Sequence, residues 1–317
     1  MESKRVLVLG GLGFLGVNVA RRFSREGSEV TIADIGTPPD MKSRLKYIQG
    51  SVNLVRADIS NKDDVKKTLV NKDVVFCLAG VSGATYSNRY PQKDLEVNCV
   101  GCLNILEAAK ELGSSALYIF PGSWLQYGPI ENRPVNEMHP RRPLTIYGIN
   151  KMACEEYFRL YNKLYGLRTV TFRISNPYGP FQSVGQHHYG LLNNFIHSAI
   201  NDEELKTFGK GTQYRDYIHV DDLVEAFVKA STYENNLGDT FNLGSGTSTR
   251  LIDVAELIIE ICGSGRIAHV DWPEEYLKID PGDYFADISK ISKTLMWKPQ
   301  KSLETGIKET VDVIKTF

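Results

Sequence analysis

The chain has 317 residues, 42% hydrophobic and 24% charged, and its 37 basic and 38 acidic side chains leave a formal charge of −1. This composition matches soluble globular proteins, excludes disordered and fibrous classes, and leaves no basic block to track a nucleic-acid backbone. No apolar run reaches the roughly 18 residues of a membrane span, and residues 1–5 lack a signal-peptide core. The chain is therefore read as cytoplasmic, with no nucleic-acid or membrane partner.

Short apolar runs alternate with helical periods through the first half. Strands are predicted at Arg5–Leu9, Glu29–Asp34, Ser51–Ala57, Asp73–Leu78, Ala116–Phe120 and Arg168–Ile174, with helices near 14–26, 62–70, 94–112 and 147–166. The alternation marks βαβ units, and it predicts an α/β fold: a doubly wound parallel sheet with helices on both faces.

Gly10-Gly11-Leu12-Gly13-Phe14-Leu15-Gly16 follows the first strand and opens the first helix. Glycines there permit a tight turn and let the backbone approach a pyrophosphate, which the unpaired N–H groups of the helix N-terminus attract. The second strand ends at Asp34, whose carboxylate can accept from both hydroxyls of an adenosine ribose and would repel a 2′-phosphate. Ile35 and Gly36 supply no arginine to receive such a phosphate, so NAD is favoured over NADP. Asp58-Ile59 closes the third strand, where a short acid and a backbone N–H suit an adenine edge; a plain strand-end or helix-cap aspartate fits the spacing equally. Cys99 and Cys102 form a CxxC without a second pair or a neighbouring histidine, and are read as reduced packing thiols.

Phe120-Pro121-Gly122-Ser123-Trp124-Leu125-Gln126-Tyr127-Gly128 lies at another strand end, and Tyr147-Gly148-Ile149-Asn150-Lys151 follows it. The four-residue step puts Tyr147 and Lys151 on one face of the predicted helix. A nearby lysine charge favours the ionised phenol, which makes Tyr147 a candidate general base. After about residue 175 the rhythm gives way to loops, helical stretches near 189–201, 220–232 and 250–262, and a strand-like piece near 205–208. Segments near 217–219 and 240–243 are expected to return to the first unit. No metal site is expected: the adjacent side chains of His187 and His188 diverge and have no acidic ligand at the right spacing.

Further motifs accompany these: Leu78-Ala79-Gly80; Asn98 with Gly101 and Asn104; Arg173-Ile174-Ser175-Asn176-Pro177-Tyr178-Gly179-Pro180; and Arg215-Asp216-Tyr217-Ile218-His219-Val220-Asp221-Asp222. With them the chain resembles, nearly end to end, the extended short-chain dehydrogenase/reductases that include NAD-dependent sugar-nucleotide epimerases and dehydratases. In type it is similar to UDP-glucose 4-epimerase-like enzymes. The resemblance implies an NAD-binding Rossmann domain over residues 1–175, with returning segments near 217–245, and a smaller substrate-binding lobe over most of 176–317.

By the same resemblance, Gly10, Gly13, Phe14, Leu15 and Gly16 surround the pyrophosphate, Asp34 binds ribose, and Asp58 and Ile59 flank adenine. Leu78, Ala79 and Asn98 sit near the cofactor, which Tyr147 and Lys151 also touch. Ser123, Tyr147 and Lys151 form the catalytic set, with Ser123 bonding the reacting sugar oxygen. Asn176 and Arg215 hold the substrate diphosphate, a role that suits a guanidinium fork. For Arg215 the structural alternative is an ion pair with Asp216 or Asp221.

Two departures bear on the reaction and its substrate. Dehydratases of this family carry an acid just after the catalytic hydroxyl residue, and related decarboxylases use a glutamate there; this chain has Trp124 and Leu125, which transfer no proton. A nucleotide-sugar 4-epimerase acting by transient oxidation at carbon 4 is therefore the leading reading. A net 4-dehydrogenase or 4-ketoreductase is the alternative, and a dinucleotide sensor without catalysis is a further one. Many galactose-type epimerases also place an arginine before Pro-Gly-Asp near the C-terminus, where this chain has Asp280, expected to oppose a phosphate contact and to leave the work to Arg215, helped by His187, His188 or Lys210. By analogy a homodimer is expected, pairing helices 94–112 and 147–166 through positions such as Leu103, Leu106, Phe158 and Tyr161.

Overall fold

The computed structural model describes residues 3–36, 41–50, 52–182, 190–233 and 237–316. Its strands are β1 (Arg5–Leu9), β2 (Glu29–Asp34), β3 (Val52–Arg56), β4 (Val74–Cys77), β5 (Leu117–Ser123), β6 (Arg168–Ile174), β7 (Asn176–Tyr178), β8 (Glu204–Phe208), β9 (Tyr214–Arg215), β10 (Tyr217–His219), β11 (Thr240–Leu243), β12 (Thr249–Arg250) and β13 (Arg266–Val270). The first helices are α1 (Phe14–Arg25), α2 (Met41–Leu45), α3 (Lys62–Leu69), α4 (Ala84–Arg89), α5 (Pro91–Asp94), α6 (Gly101–Glu111) and α7 (Ile146–Tyr165). There follow α8 (Leu191–Ile200), α9 (Val220–Ser231), α10 (Leu251–Cys262), α11 (Glu274–Leu277), α12 (Ser289–Leu295) and α13 (Leu303–Thr316).

Seven strands form one parallel sheet in the order β11-β6-β5-β4-β1-β2-β3. Strand β4 and all of β5 are buried on both faces, which is why they read as unbroken apolar runs; β3, at the edge, is largely exposed. The order reverses between β1 and β4, so the loops at their carboxyl ends diverge and open a crevice there. The glycine loop, Asp34, Ala79 and Ser123 all lie at that end of the sheet.

Helices α1, α9 and α12 cover one face of the sheet, and α3, α6 and α7 the other. A third apolar cluster joins α8, α10 and α13 beside the β8–β13 pair. The predicted return of 240–243 is seen, as β11 pairs with β6. The segment 217–219 does otherwise: β10 pairs with β7 in a separate two-stranded ribbon, because Asn176–Tyr178 leaves the main sheet one residue after β6. The helix expected over 94–112 is interrupted by a π-helical turn at Leu95–Val100, so α5, this turn and α6 form one rod of changing pitch.

His219 starts α9 in a pH-sensitive way. Its Nδ1 accepts the Asp221 N–H at 3.3 Å, a cap that needs a neutral ring. Burial lowers the pKa of His219 from 6.5, against the pull of Asp221 and Glu309 and with the help of Lys301. The unfolded chain thus takes up this proton first as pH falls, so the stability contribution is present above pH 6.5 and is lost as pH drops through the folded value. Melting temperature is expected to fall on acidification below pH 6.5, with a smaller fall in His219→Asn, whose side chain still caps but does not titrate; identical acid profiles would contradict this.

Candidate active site

The dinucleotide end is built from backbone. Gly13 caps α1 without a side-chain hydrogen bond, and the first turn carries no acid, so the positive helix end is open to an anion. Gly16 is required by contact: a Cβ there would lie 2.5 Å from Gly11 Cα. Asp34 is fixed beside this loop, its Oδ2 accepting from Leu12 N at 3.0 Å and its Oδ1 from Ile35 N at 2.9 Å. A carboxylate has about four acceptor directions, so both oxygens keep capacity for ribose hydroxyls. These features fit NAD: a cradle that a side chain would fill, a donor-rich helix end and an acceptor at the second strand end.

The other cofactor candidates hold the loops in place. Asp58 Oδ1 accepts from Ser60 N and Oγ at 2.9 and 2.7 Å, which lowers its carboxyl pKa and makes it a turn residue ahead of α3. Ile59 is buried beneath Gly101. Leu78 N donates to Leu9 O, and Ala79 backbone packs against Gly10. Asn98 binds Val81 N and O, both at 3.1 Å, so its amide clasps the loop after β4.

The three candidate catalytic residues sit at the junction of β5 and α7. Strand β5 ends at Ser123, whose Oγ accepts Leu125 N at 3.2 Å and so starts a single helical turn. Helix α7 begins against that turn, and a Cβ at Gly148 would meet Leu125 O at 2.7 Å, so only glycine allows this approach. Three N–H groups at the head of α7 have side-chain partners: Ile146 with Asn88 Oδ1, Tyr147 with Ser87 Oγ, and Gly148 with Thr145 Oγ1, each at 3.0 Å. Tyr147 is thus held by its own backbone. One turn on, the buried Lys151 donates to Pro121 O at 2.9 Å and lies 5.7 Å from the Tyr147 ring centre. The structure therefore brings Ser123, Tyr147 and Lys151 to one end of the sheet.

Behind this junction, Arg173 and Glu155 form a buried pair at 3.0 and 2.6 Å, with side-chain exposures of 5% and 4%. Gln126 and Arg141 also donate to Glu155, while Arg173 reaches Tyr127 Oη at 3.0 Å and Glu137 O at 2.9 Å. Trp124 stacks on Tyr284 at 4.3 Å, so the side chain after Ser123 is an aromatic wall.

Among the candidate substrate residues, Asn176 Nδ2 donates to Asp216 O at 2.9 Å and ties β7 to β10. Arg215 pairs with neither Asp216 nor Asp221. Its Nη2 lies 2.6 Å from Asp280 Oδ1, because Asp216 is buried and accepts from Ser245, Gly246 and Ala286 while Asp221 pairs with Arg21 and Lys301. His187 and His188 lie outside the described residues; Lys210 is exposed on the turn after β8. Among the described residues, His219, Asp221 and Glu309 approach one another within 4.8 Å, but the Lys301 ammonium pairs with both carboxylates and supplies their counter-charge. The thiols of Cys99 and Cys102 are buried in the core, and the Cys99 pKa is raised, first by its contact with Cys154 and then by burial.

Residues 6–244 match the model of the NAD dependent epimerase/dehydratase family. The chain belongs to this family. It is accordingly an NAD-dependent enzyme of the sugar-nucleotide epimerase/dehydratase kind. A Methanocaldococcus jannaschii protein provisionally named UDP-glucose 4-epimerase is 31% identical, over 98% of both chains. CDP-paratose 2-epimerase of Salmonella typhi is 28% identical, over 97% of this chain and 98% of the other. The structure of UDP-glucuronic acid 4-epimerase from Bacillus cereus, with UDP-glucuronic acid and NAD, superposes with a TM-score of 0.88 at 27% identity, over 98% of this chain and 99% of that one.

Within the epimerase/dehydratase family, the polar groups that fix the site here were not foreseen. Ser87, Asn88 and Glu155 lie in helical stretches whose composition says nothing of a partner 18 to 60 residues away. Asn61 was findable: Asn-Lys-Asp-Asp is an N-cap signature, and it caps α3 through Asp63 N and Asp64 N.

Proposed function

We propose that the chain is a nucleotide-sugar 4-epimerase. The observation that carries this reading is that Lys151 lies 5.7 Å from the Tyr147 ring centre at the sheet end where β5 stops at Ser123, while Trp124, stacked on Tyr284, and Leu125 occupy the positions just beyond Ser123. Tyr147 serves as the base, and neither Trp124 nor Leu125 offers the acid that would drive loss of water or of carbon dioxide.

Tyr147, beside Lys151, takes the proton of the sugar 4-hydroxyl, and Ser123 Oγ bonds the same oxygen as it becomes a carbonyl. NAD, when bound, would supply a reversible hydride acceptor for the hydrogen of carbon 4. Gly10, Gly13, Phe14, Leu15 and Gly16 would hold its pyrophosphate, Asp34 its ribose, Asp58 and Ile59 its adenine, with Leu78, Ala79 and Asn98 along the same face. Asn176 and Arg215 hold the sugar nucleotide by its diphosphate while the 4-ketosugar turns over. Tyr147 then returns the proton to the oxygen on the new face, so acid and base are one residue. In this reading residues 1–175 form the NAD-binding domain and most of 176–317 the substrate lobe.

The enzyme works as a homodimer. Of the residues expected at the interface, Leu106 and Phe158 are fully buried in this chain's own core, because α6 and α7 turn those faces to the sheet. Leu95, Val100, Leu160 and Leu164 are exposed on the same helical elements and are the apolar positions a partner covers. No described helix is long and apolar enough to cross a membrane.

The test is to release and identify the cofactor of the purified protein, then incubate the intact enzyme with UDP-, GDP-, CDP- and dTDP-sugars. Bound NAD and a product of unchanged mass without net NADH are expected. NADH accumulating with a product two hydrogens lighter would replace the epimerase by a net 4-dehydrogenase.

A further inference from the structure

Arg215 has a fixed frame and a fixed counter-charge. Its Nη1 donates to Tyr214 O at 2.9 Å and Gly282 O at 3.0 Å, its Nη2 to Asp280 Oδ1 at 2.6 Å, and its guanidinium carbon lies 5.8 Å from the Trp124 ring centre. A guanidinium has five N–H groups, and those three contacts use three of them. Among the described residues the other two, on Nε and Nη2, meet no acceptor. Asp280 is held in turn: its Oδ1 also accepts Gly282 N at 3.2 Å. Side-chain exposures of 14% for Arg215 and 20% for Asp280 keep solvent from screening the pair fully.

We propose that Asp280 is an internal counter-ion that sets, by weakening it, the affinity of this site for a nucleoside diphosphate. The inference rests on the reading of Arg215 as a diphosphate-binding group. A phosphate that takes the two remaining N–H groups shares one guanidinium with a carboxylate that the Gly282 N–H and the frame hold in place. Two anions then stand against one cation, and their repulsion subtracts from what Arg215 contributes. The guanidinium is ready for phosphate in position but neutralised in charge. A site so balanced releases the nucleotide readily, which suits a reaction whose substrate and product carry the same diphosphate.

The opposite role, in which Asp280 strengthens binding by aiming Arg215, predicts the opposite sign and is separable. Titration calorimetry would compare UDP, CDP, GDP and dTDP binding to NAD-loaded wild type, Asp280→Asn, Arg215→Met and the double variant. Asparagine keeps an acceptor for Arg215 and Gly282 and removes only the charge; equal melting temperature and NAD content verify that the site is intact. Asp280→Asn is expected to tighten the best-bound diphosphate about three- to tenfold, as for removal of one partly screened like charge at ~6 Å. KM for the sugar nucleotide should fall in step while kcat does not rise, and the gain should vanish in the Arg215→Met background. Unchanged or weaker binding by Asp280→Asn, with Arg215→Met weakening it strongly, overturns the counter-ion role and leaves the diphosphate assignment standing. Full binding by Arg215→Met removes that assignment and the inference with it.

Discussion

Tyr147→Phe is expected to lose turnover by about 10²- to 10⁴-fold, the range for removal of a general acid–base group. NAD content should be unchanged. The phenol is the only part deleted, and the backbone that fixes the residue is anchored elsewhere, through Tyr147 N on Ser87 Oγ and the Thr145 cap on Gly148 N. Lys151 keeps its bond to Pro121 O, so the junction of β5 and α7 should not move. Steady-state rates with the active sugar nucleotide, set beside cofactor released on denaturation, check both parts. A variant with wild-type turnover would remove Tyr147 from the chemistry, and one that loses NAD would make it a structural residue.

The second large effect is on stability. Glu155→Ala leaves Arg173 buried without its carboxylate partner, since an arginine does not shed its proton: burial works against the charged form, and the hydrogen bonds of Glu155, with Tyr127 and the Glu155 charge, more than offset it. Breaking such a buried pair from one side costs about 3–5 kcal/mol. Gln126 and Arg141 lose their acceptor at the same time. Because Gln126 closes the turn that begins at Ser123, the damage should reach the site, with activity lost below the melting temperature. Denaturant unfolding measures the first part. A loss under about 1 kcal/mol would mean that water or another acceptor takes over from Glu155. The double change Glu155→Leu with Arg173→Met, which removes both charges, should recover much of the loss.

The parallel sheet was legible because strands buried on both faces read as apolar runs, and the helices between them bury one stripe each. The three candidate catalytic positions were picked out by resemblance, and the structure puts Ser123 at the end of β5 and Tyr147 and Lys151 in the first turns of α7. Polar partnerships across the fold were not. Asn176–Tyr178, expected among the loops after residue 175, pairs with β10, and the Arg215–Asp280 contact spans 65 residues. A one-dimensional pattern carries no sign of which carboxylate an arginine will find. The orientation of α6 and α7 was misread at Leu106 and Phe158 because both helices are apolar on more than one side, and only packing decides which side faces the sheet. The C-terminal helices α12 and α13 are not among the elements the sequence predicts.

Transfer of hydrogen from sugar carbon 4 and back again is the central claim, and a nucleotide sugar deuterated at that carbon tests it most directly. With the sugar nucleotide that turns over, the 4-epimer is expected to form at unchanged mass, its deuterium still on carbon 4 and none in the solvent or in released cofactor. Deuterium recovered in accumulating NADH, beside a 4-ketosugar, or an epimer that has lost the label to water, would contradict the reaction proposed here.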